Sequence, residues 1–179
     1  MSKPLPPFNE IDKGVVVIDA TNHVAGRLAS AVARLLRARG DIRVYIINAE
    51  KAVITGDRKM VLGWYARKVS EWRTHYNPEK VGPKVPRRPD RILKRIIRGM
   101  LDYKEGEGRS ALKRLRVYMS TPAVALPKER YYVPEALLRP KPMYKYVALE
   151  ELWRHIDPAA WRKWSEAQQL LQKINRPQK

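Results

Sequence analysis

The side chains with the most chemistry to offer in this sequence are its lysines and arginines. There are 37 of them against 18 aspartates and glutamates, a formal charge of +19 at pH 7 in 179 residues. Self-repulsion of that size adds nothing to a fold, so it points to a polyanionic partner, with nucleic acid first. The charge is also concentrated: residues 58–116 hold 18 basic and 6 acidic residues, a net +12. Arg58, Lys59, Arg67, Lys68, Arg73, Lys80, Lys84, Arg87, Arg88, Arg91, Lys94, Arg95, Arg98, Lys113, Arg114 and Arg116 all fall in that window. With so little acid available for pairing along a helix, they are expected to neutralise phosphates, arginine adding bidentate hydrogen bonds to its charge. Trp64, Tyr65, Trp72, His75 and Tyr76 interleave with Arg67, Lys68 and Arg73, a mixture suited to stacking on unpaired bases as well as holding backbone. Of these, Trp64 and Tyr65 are expected inside the protein. Basic loops rich in proline suit irregular RNA better than duplex DNA, because RNA has crevices that an extended segment can enter.

Other chemistries find little support. The absence of cysteine excludes a thiol nucleophile, a disulfide and any cysteine-based metal site, and three scattered histidines, His23, His75 and His155, do not suggest a metal centre. The stretch DATNHVAGRLAS at 19–30 has Gly26 alone and no GxGxxG, and Gly56-Asp57-Arg58-Lys59 lacks the spacing of a phosphate-binding loop. Ser30 and Ser110 have no GxSxG context. His23 beside Asp19 is an acid and base pair in principle, but a turn histidine next to a strand-end aspartate is more commonly a local hydrogen-bonding arrangement. No catalysis, cofactor, metal or small-molecule substrate is therefore expected. No run approaches the roughly 20 apolar residues of a membrane span, and MSKPLPPFNE lacks the apolar stretch of a signal peptide. A soluble cytoplasmic protein with no membrane contact is expected. Trp161, Arg162, Lys163 and Trp164 would suit a membrane surface, but Glu150, Glu151, Asp157 and Glu166 favour a helix docked on its own domain or on a protein neighbour.

These cations need a scaffold, and an apolar fraction of 44% is enough for a core in one domain. Residues 1–13, with Pro4, Pro6 and Pro7, are expected as a flexible or partner-bound tail, 14–143 as an α/β core, and 144–179 as a helical extension. The β-branched run at 15–18, the helical spacing of Val24, Leu28, Ala31 or Val32, and Leu35 or Leu36, and the run at 43–48 predict strand, helix, strand, with Gly40 as the helix cap and the strands parallel. A short strand is expected at 52–55, then a helix opening at Gly56-Asp57 with Val61, Trp64 and Tyr65 inward. Prolines 78, 83, 86 and 89 mark 76–89 as a basic loop. Pro89 then opens a helix with Ile92, Leu93, Ile96, Ile97, Met100 and Leu101 on one stripe and Arg91, Lys94, Arg95 and Arg98 opposite. Alternation at 112–119 predicts a strand, and 122–142 a second region punctuated by proline. Leu149, Leu152 and Ile156 predict one helix, and Asp157-Pro158 starts another whose apolar side carries Trp161, Trp164, Leu171 and Ile174. On these residues alone, an RNA-binding factor outside the ribosome and a nucleotide-dependent enzyme on the same sheet remain open.

Several segments in order resemble one family. VVIDATNHVAGRLASAVARLL at 16–36, IINAEKAVITG at 46–56, RGML at 98–101 and LKRLRVY at 112–118 are similar to the universal large-subunit ribosomal protein L-thirteen family. KERYYVPEALLRPKP at 128–142 suits its archaeal and eukaryotic branch, while Asp102 and Thr121-Pro122 stand where the bacterial branch has a proline and a His-Pro pair. The resemblance implies a three-layer α/β domain with a central, mostly parallel sheet. It also implies a structural, non-catalytic role in binding large-subunit ribosomal RNA, supporting subunit assembly and touching neighbouring ribosomal proteins, possible contacts of the carboxyl-terminal helices. By the same resemblance Gly26 is expected to permit close approach at the first helix, and Arg27 to join the basic residues of 58–116 on RNA.

Overall fold

The structure is a computed structural model and describes residues 2–7, 10–11, 13–78, 80–126, 128–139 and 145–174, with side chains through 171. In chain order the elements are β1 (Lys3–Pro4), β2 (Gly14–Asp19), α1 (Ala25–Ala38), β3 (Ile42–Ile47), β4 (Val53–Thr55), α2 (Arg58–Ser70), α3 (Pro89–Gly99), α4 (Gly106–Lys113), β5 (Leu115–Val117), β6 (Arg130–Tyr132), β7 (Tyr146–Ala148), α5 (Leu149–Ile156) and α6 (Pro158–Ile174). A run such as Val15–Ile18 has no polar face to turn to water, and Val16, Val17 and Ile18 of β2 are all buried. α1 returns the chain so that β3 lies parallel to β2, Gly14 opposite Ile42 and Asp19 opposite Ile47. β5 continues the sheet beyond β3, with Val44 opposite Leu115. The chain then crosses back to place β6 on the other side of β2, and β1 on β6. The order is β1-β6-β2-β3-β5, every pair parallel.

Because successive strand residues point to opposite faces, Val16 and Ile18 belong to the main core with Leu28, Leu35, Ile92, Leu93 and Ile97, whereas Val17 faces the other way. That second face is covered by the crossover from β5 to β6. Ala125, in a single 3-10 turn (Ala123–Ala125), sits on Val17 and Ile47 with Val15 and Tyr45 alongside. The outer layer there is mostly irregular chain, while helices supply the opposite one. β4 pairs antiparallel with β7, Val53 opposite Ala148, and Val147, Leu149 and Leu152 enter the main core. The carboxyl-terminal stretch from β7 through α5 is thus wound into the same interior as the sheet. Trp153 meets Trp164 with ring centres 5.5 Å apart, tying α6 to α5, and the Asp157 carboxylate accepts the Ala160 N–H at the start of α6.

Several details depart from the sequence reading. Lys3–Pro4 joins the sheet, with the Leu5 N–H donating to Tyr132 O at 2.8 Å. The proline-punctuated region contains β6. The strand expected over 112–119 is confined to Leu115–Val117, because Leu112 and Lys113 end α4. Gly40 does not cap α1 in a left-handed conformation. The helix ends into Arg39, extended at φ −126°, and the Arg114 guanidinium caps the carbonyls of Leu36, Arg39 and Ile42. The expected boundary at 143–144, Pro142 and the side chain of Ile174 lie outside the described residues.

Candidate nucleic-acid interface

α2 and α3 are the elements that present the basic window. Asp57 opens α2 by accepting the Lys59 N–H, and Lys145, 2.9 Å away, holds its carboxyl below the ordinary carboxylate range. Leu62 and Tyr65 are buried. Burial pushes the Tyr65 phenol up to about 12, and its O–H donates to Pro86 O at 3.1 Å. From α3, Arg95 donates to Lys84 O at 2.6 Å. The 76–89 loop is therefore strapped to one helix at Pro86 and to the other at Lys84. Pro89 takes the first turn of α3, where it needs no N–H partner, and Ile92, Leu93 and Ile97 turn inward. Their burial leaves Arg91 and Arg95 exposed and Lys94 and Arg98 half-buried in one row, with the Arg98 guanidinium 4.7 Å above the Tyr103 ring. Like charges three and four apart cost an isolated helix about 0.2–0.5 kcal/mol per pair. This row weakens the free protein and becomes favourable when an anion lies across it.

Three concavities use the loop as a shared wall. One, of about 590 Å³ between α2 and α3, is bounded by Val61, Trp64, Lys68, Val85, Arg95 and Ile96 among others. A second, of about 470 Å³, carries Arg73, Lys84 and Arg87. The third, of about 270 Å³, carries Lys84, Arg91, Lys94, Arg95 and Arg98. Among the described residues no carboxylate lines any of them. Lys68, Arg73, Lys84, Arg87, Arg91, Lys94, Arg95 and Arg98 are thus brought together.

The remaining predicted cations are placed differently. Arg58 pairs with Glu151, Arg67 with Glu71 at 3.8 Å, and Arg88 with Asp90 at 3.2 Å. Lys59, His75 and Lys80 are exposed, and Arg27 is exposed in the first turn of α1; none of the four lines the three concavities. Lys113 is exposed, and Arg116, also exposed, donates to Lys113 O at 3.2 Å. Arg114 is withdrawn from the surface row by its cap on α1. Trp64, expected inside, is 53% exposed. The inward face of α2 is centred on Leu62 and Tyr65, which leaves Trp64 at its edge, on the wall of the groove. Gly26 is exposed, and a Cβ there would meet nothing within 4 Å, so no close approach within the chain requires it.

The other polar concentration lies at the carboxyl ends of the parallel strands, where open α/β sheets usually bind ligands. Burial works to raise the Asp19 pKa, but hydrogen bonds from Thr21 and Asn48 to Oδ1 outweigh it and hold the group low. Nε2 of the buried His23 accepts the Val133 N–H at 3.0 Å, which leaves Nδ1 protonated and donating to Thr21 O at 2.8 Å. The imidazole is neutral, and burial lowers its pKa. It bridges the turn after β2 to the residue after β6, at the switch point of the strand order. The Ser120 N–H donates to the buried Glu50, whose pKa burial raises. Asn22, Asn48 and Ser120 adopt φ of 55–58° to make these turns. Among the described residues no group of three or more His, Cys, Asp and Glu is placed to hold a metal ion, and no helix is long and apolar enough to cross a membrane.

A parallel sheet that grows to both sides of β2, laced shut at its strand ends and cationic along two surface helices, defines a basic α/β protein. Residues 13–123 match the family model described as "Ribosomal protein L13". The chain is 59% identical over 165 residues to the large ribosomal subunit protein uL13 of Pyrobaculum islandicum, covering 90% of this chain and 89% of that one. It is 43% identical over 141 residues to uL13 of Archaeoglobus fulgidus (78% and 86% covered) and 41% identical over 142 residues to that of Methanocaldococcus jannaschii (79% and 97%). The chain belongs to the ribosomal protein L13 family.

Proposed function

We propose that the protein is a structural component of the large ribosomal subunit that binds ribosomal RNA and supports subunit assembly, without catalysis or cofactor. The observation that carries this reading is the row Arg91, Lys94, Arg95 and Arg98 facing Lys84 around a concavity that no carboxylate lines among the described residues. Such a surface binds by phosphate neutralisation and shape, base-specific readout being secondary. Arg73 and Arg87 extend it along the loop, and Arg27, Lys59, His75, Lys80, Lys113 and Arg116 lie outside its centre. The carboxyl-terminal helices supply a second kind of contact: Leu170 and Leu171 of α6 are 58% and 50% exposed, an apolar edge suited to a neighbouring ribosomal protein.

Sedimentation of cell lysate tests the assignment. The protein is expected in stoichiometric amount in the large-subunit peak after a moderate salt wash; a free pool alone would refute it. Crosslinking in cells, with identification of the attached RNA, tests the partner.

A further inference from the structure

We infer that Trp64 and Trp72, with Lys68 between them, form a stacking subsite for unpaired nucleobases of a single-stranded RNA segment at the mouth of the groove between α2 and α3. This deepens the RNA-binding reading and rests on it. Met60, Trp64 and Lys68 follow one another at intervals of four on one row of α2, and Trp72 stands just past the helix end. Met60 is 65% exposed, Trp64 53% and Trp72 50%, an unusual concentration of large apolar surface on so charged a protein. The indoles do not cover each other: their planes are 73° apart with ring centres at 6.5 Å. The Lys68 Nζ lies 4.4 Å from one ring centre and 4.9 Å from the other.

That arrangement is a site with a placeholder. A solvated ammonium over an exposed ring is held weakly. A base takes its place against an indole with more contact area, and the displaced ammonium finds the phosphate attached to that base. Behind the Trp64 ring, the 590 Å³ groove offers apolar walls at Val61, Val85 and Ile96, with Lys68 and Arg95 as its charges and no carboxylate in its lining among the described residues. Apolar surface rimmed by cations selects a flat ring that carries negative charge on a tether. A nucleotide has that description, and a neutral or basic peptide does not.

The test uses the full chain, a short single-stranded oligoadenylate containing 2-aminopurine, and an RNA duplex of equal length. Trp64→Leu and Trp72→Leu change exposed residues, so melting should be unaffected. Each is expected to weaken oligoadenylate binding by about 5- to 150-fold, the 1–3 kcal/mol that stacking one base is worth at 1.4 kcal/mol per tenfold. The salt dependence and the duplex affinity should stay as they were, and the quenching of 2-aminopurine by the native protein should be relieved. Lys68→Gln should weaken oligoadenylate more than duplex and make the salt slope for oligoadenylate shallower. If the tryptophan variants bind oligoadenylate like the native chain while Arg91→Glu with Arg98→Glu does not, the subsite is overturned and the RNA-binding reading stands. If the native chain binds neither RNA, both fall. Ultraviolet crosslinking in intact large subunits adds an independent arm. RNA attached to Trp64 or Trp72 supports the subsite, and a protein segment attached there in its place overturns it.

Discussion

The strand ends and the α2–loop–α3 face are both rich in polar side chains, yet they are built on opposite terms. At the strand ends, the Asp19, His23, Asn48 and Glu50 side chains all have partners within the chain. Along α3, Arg91 and Lys94 have no hydrogen-bond or ion-pair partner among the described residues, and Arg95 touches one carbonyl. A buried polar group without a partner costs about 1–3 kcal/mol, whereas an exposed cation costs little and keeps its charge for something else. The location where a parallel sheet commonly binds a ligand is here used to hold the sheet together, and the cations without carboxylate partners stand on the helices outside. Changes at the first place should therefore act on stability and changes at the second on RNA.

The largest effect is expected on the helix face. Reversing Arg91, Lys94 and Arg98 to glutamate should weaken binding to large-subunit RNA by about 10²- to 10³-fold at 0.1 M salt. The slope of log affinity against log salt should become shallower by about 2 to 3. Melting should scarcely move, because the like-charge row it removes was unfavourable to the free protein. Filter binding over a salt series decides it; an unaltered slope would place the interface elsewhere.

His23→Ala should do the reverse. It leaves the Val133 N–H without an acceptor and a void at the switch point, so unfolding free energy should fall by about 2–4 kcal/mol with the RNA salt slope unchanged. Arg114→Met comes next, at about 1–3 kcal/mol, because the carbonyls of Leu36, Arg39 and Ile42 lose the guanidinium that caps them. Arg114 and Arg116 then separate cleanly: two residues apart in one basic run, the first changes melting and the second does not.

A smaller signature of the strand-end site is its pH dependence. Burial holds the His23 pKa below its ordinary 6.5. Between that lowered value and 6.5 the unfolded chain binds a proton that the folded one refuses. The full contribution is present above pH 6.5, and stability declines as pH falls through the window, by at most about 1.4 kcal/mol per unit. Urea titrations from about pH 7.5 to 5.5 should show the decline in the native chain and lose this component in His23→Gln. An equal decline in both would mean that another group carries it.

What the sequence made legible follows from how each element is stabilised. β2, α1 and β3 advertise themselves because their apolar residues keep one period over many positions. β6 is three residues, Arg130-Tyr131-Tyr132, among prolines; only pairing with β1 and β2 makes it a strand, and pairing partners are not written locally. α4 was hidden by Gly106 and Gly108, poor helix formers. The tight turn before α4 requires the second glycine, since a Cβ on Gly108 would collide with the Asp102 carbonyl. At the cationic face, the row on α3 was readable from its amphipathic spacing. Which cations are tied up was not, because the Arg114 cap and the Arg58–Glu151 pair join segments distant in sequence.

Gly26 gives the smallest prediction and tests where the two regions end. It lies in the first turn of α1 beside Arg27, exposed, with open space where a Cβ would go. Gly26→Ala should then stabilise the protein by about 0.4–1 kcal/mol, since alanine loses less backbone freedom on folding and sits easily in a helix. If the interface is confined to α2, the loop and α3, RNA affinity will not change. Should the variant be more stable but bind RNA less well, the missing side chain is there for the partner's approach. The start of α1, with Arg27, would then belong to the binding surface rather than to the scaffold.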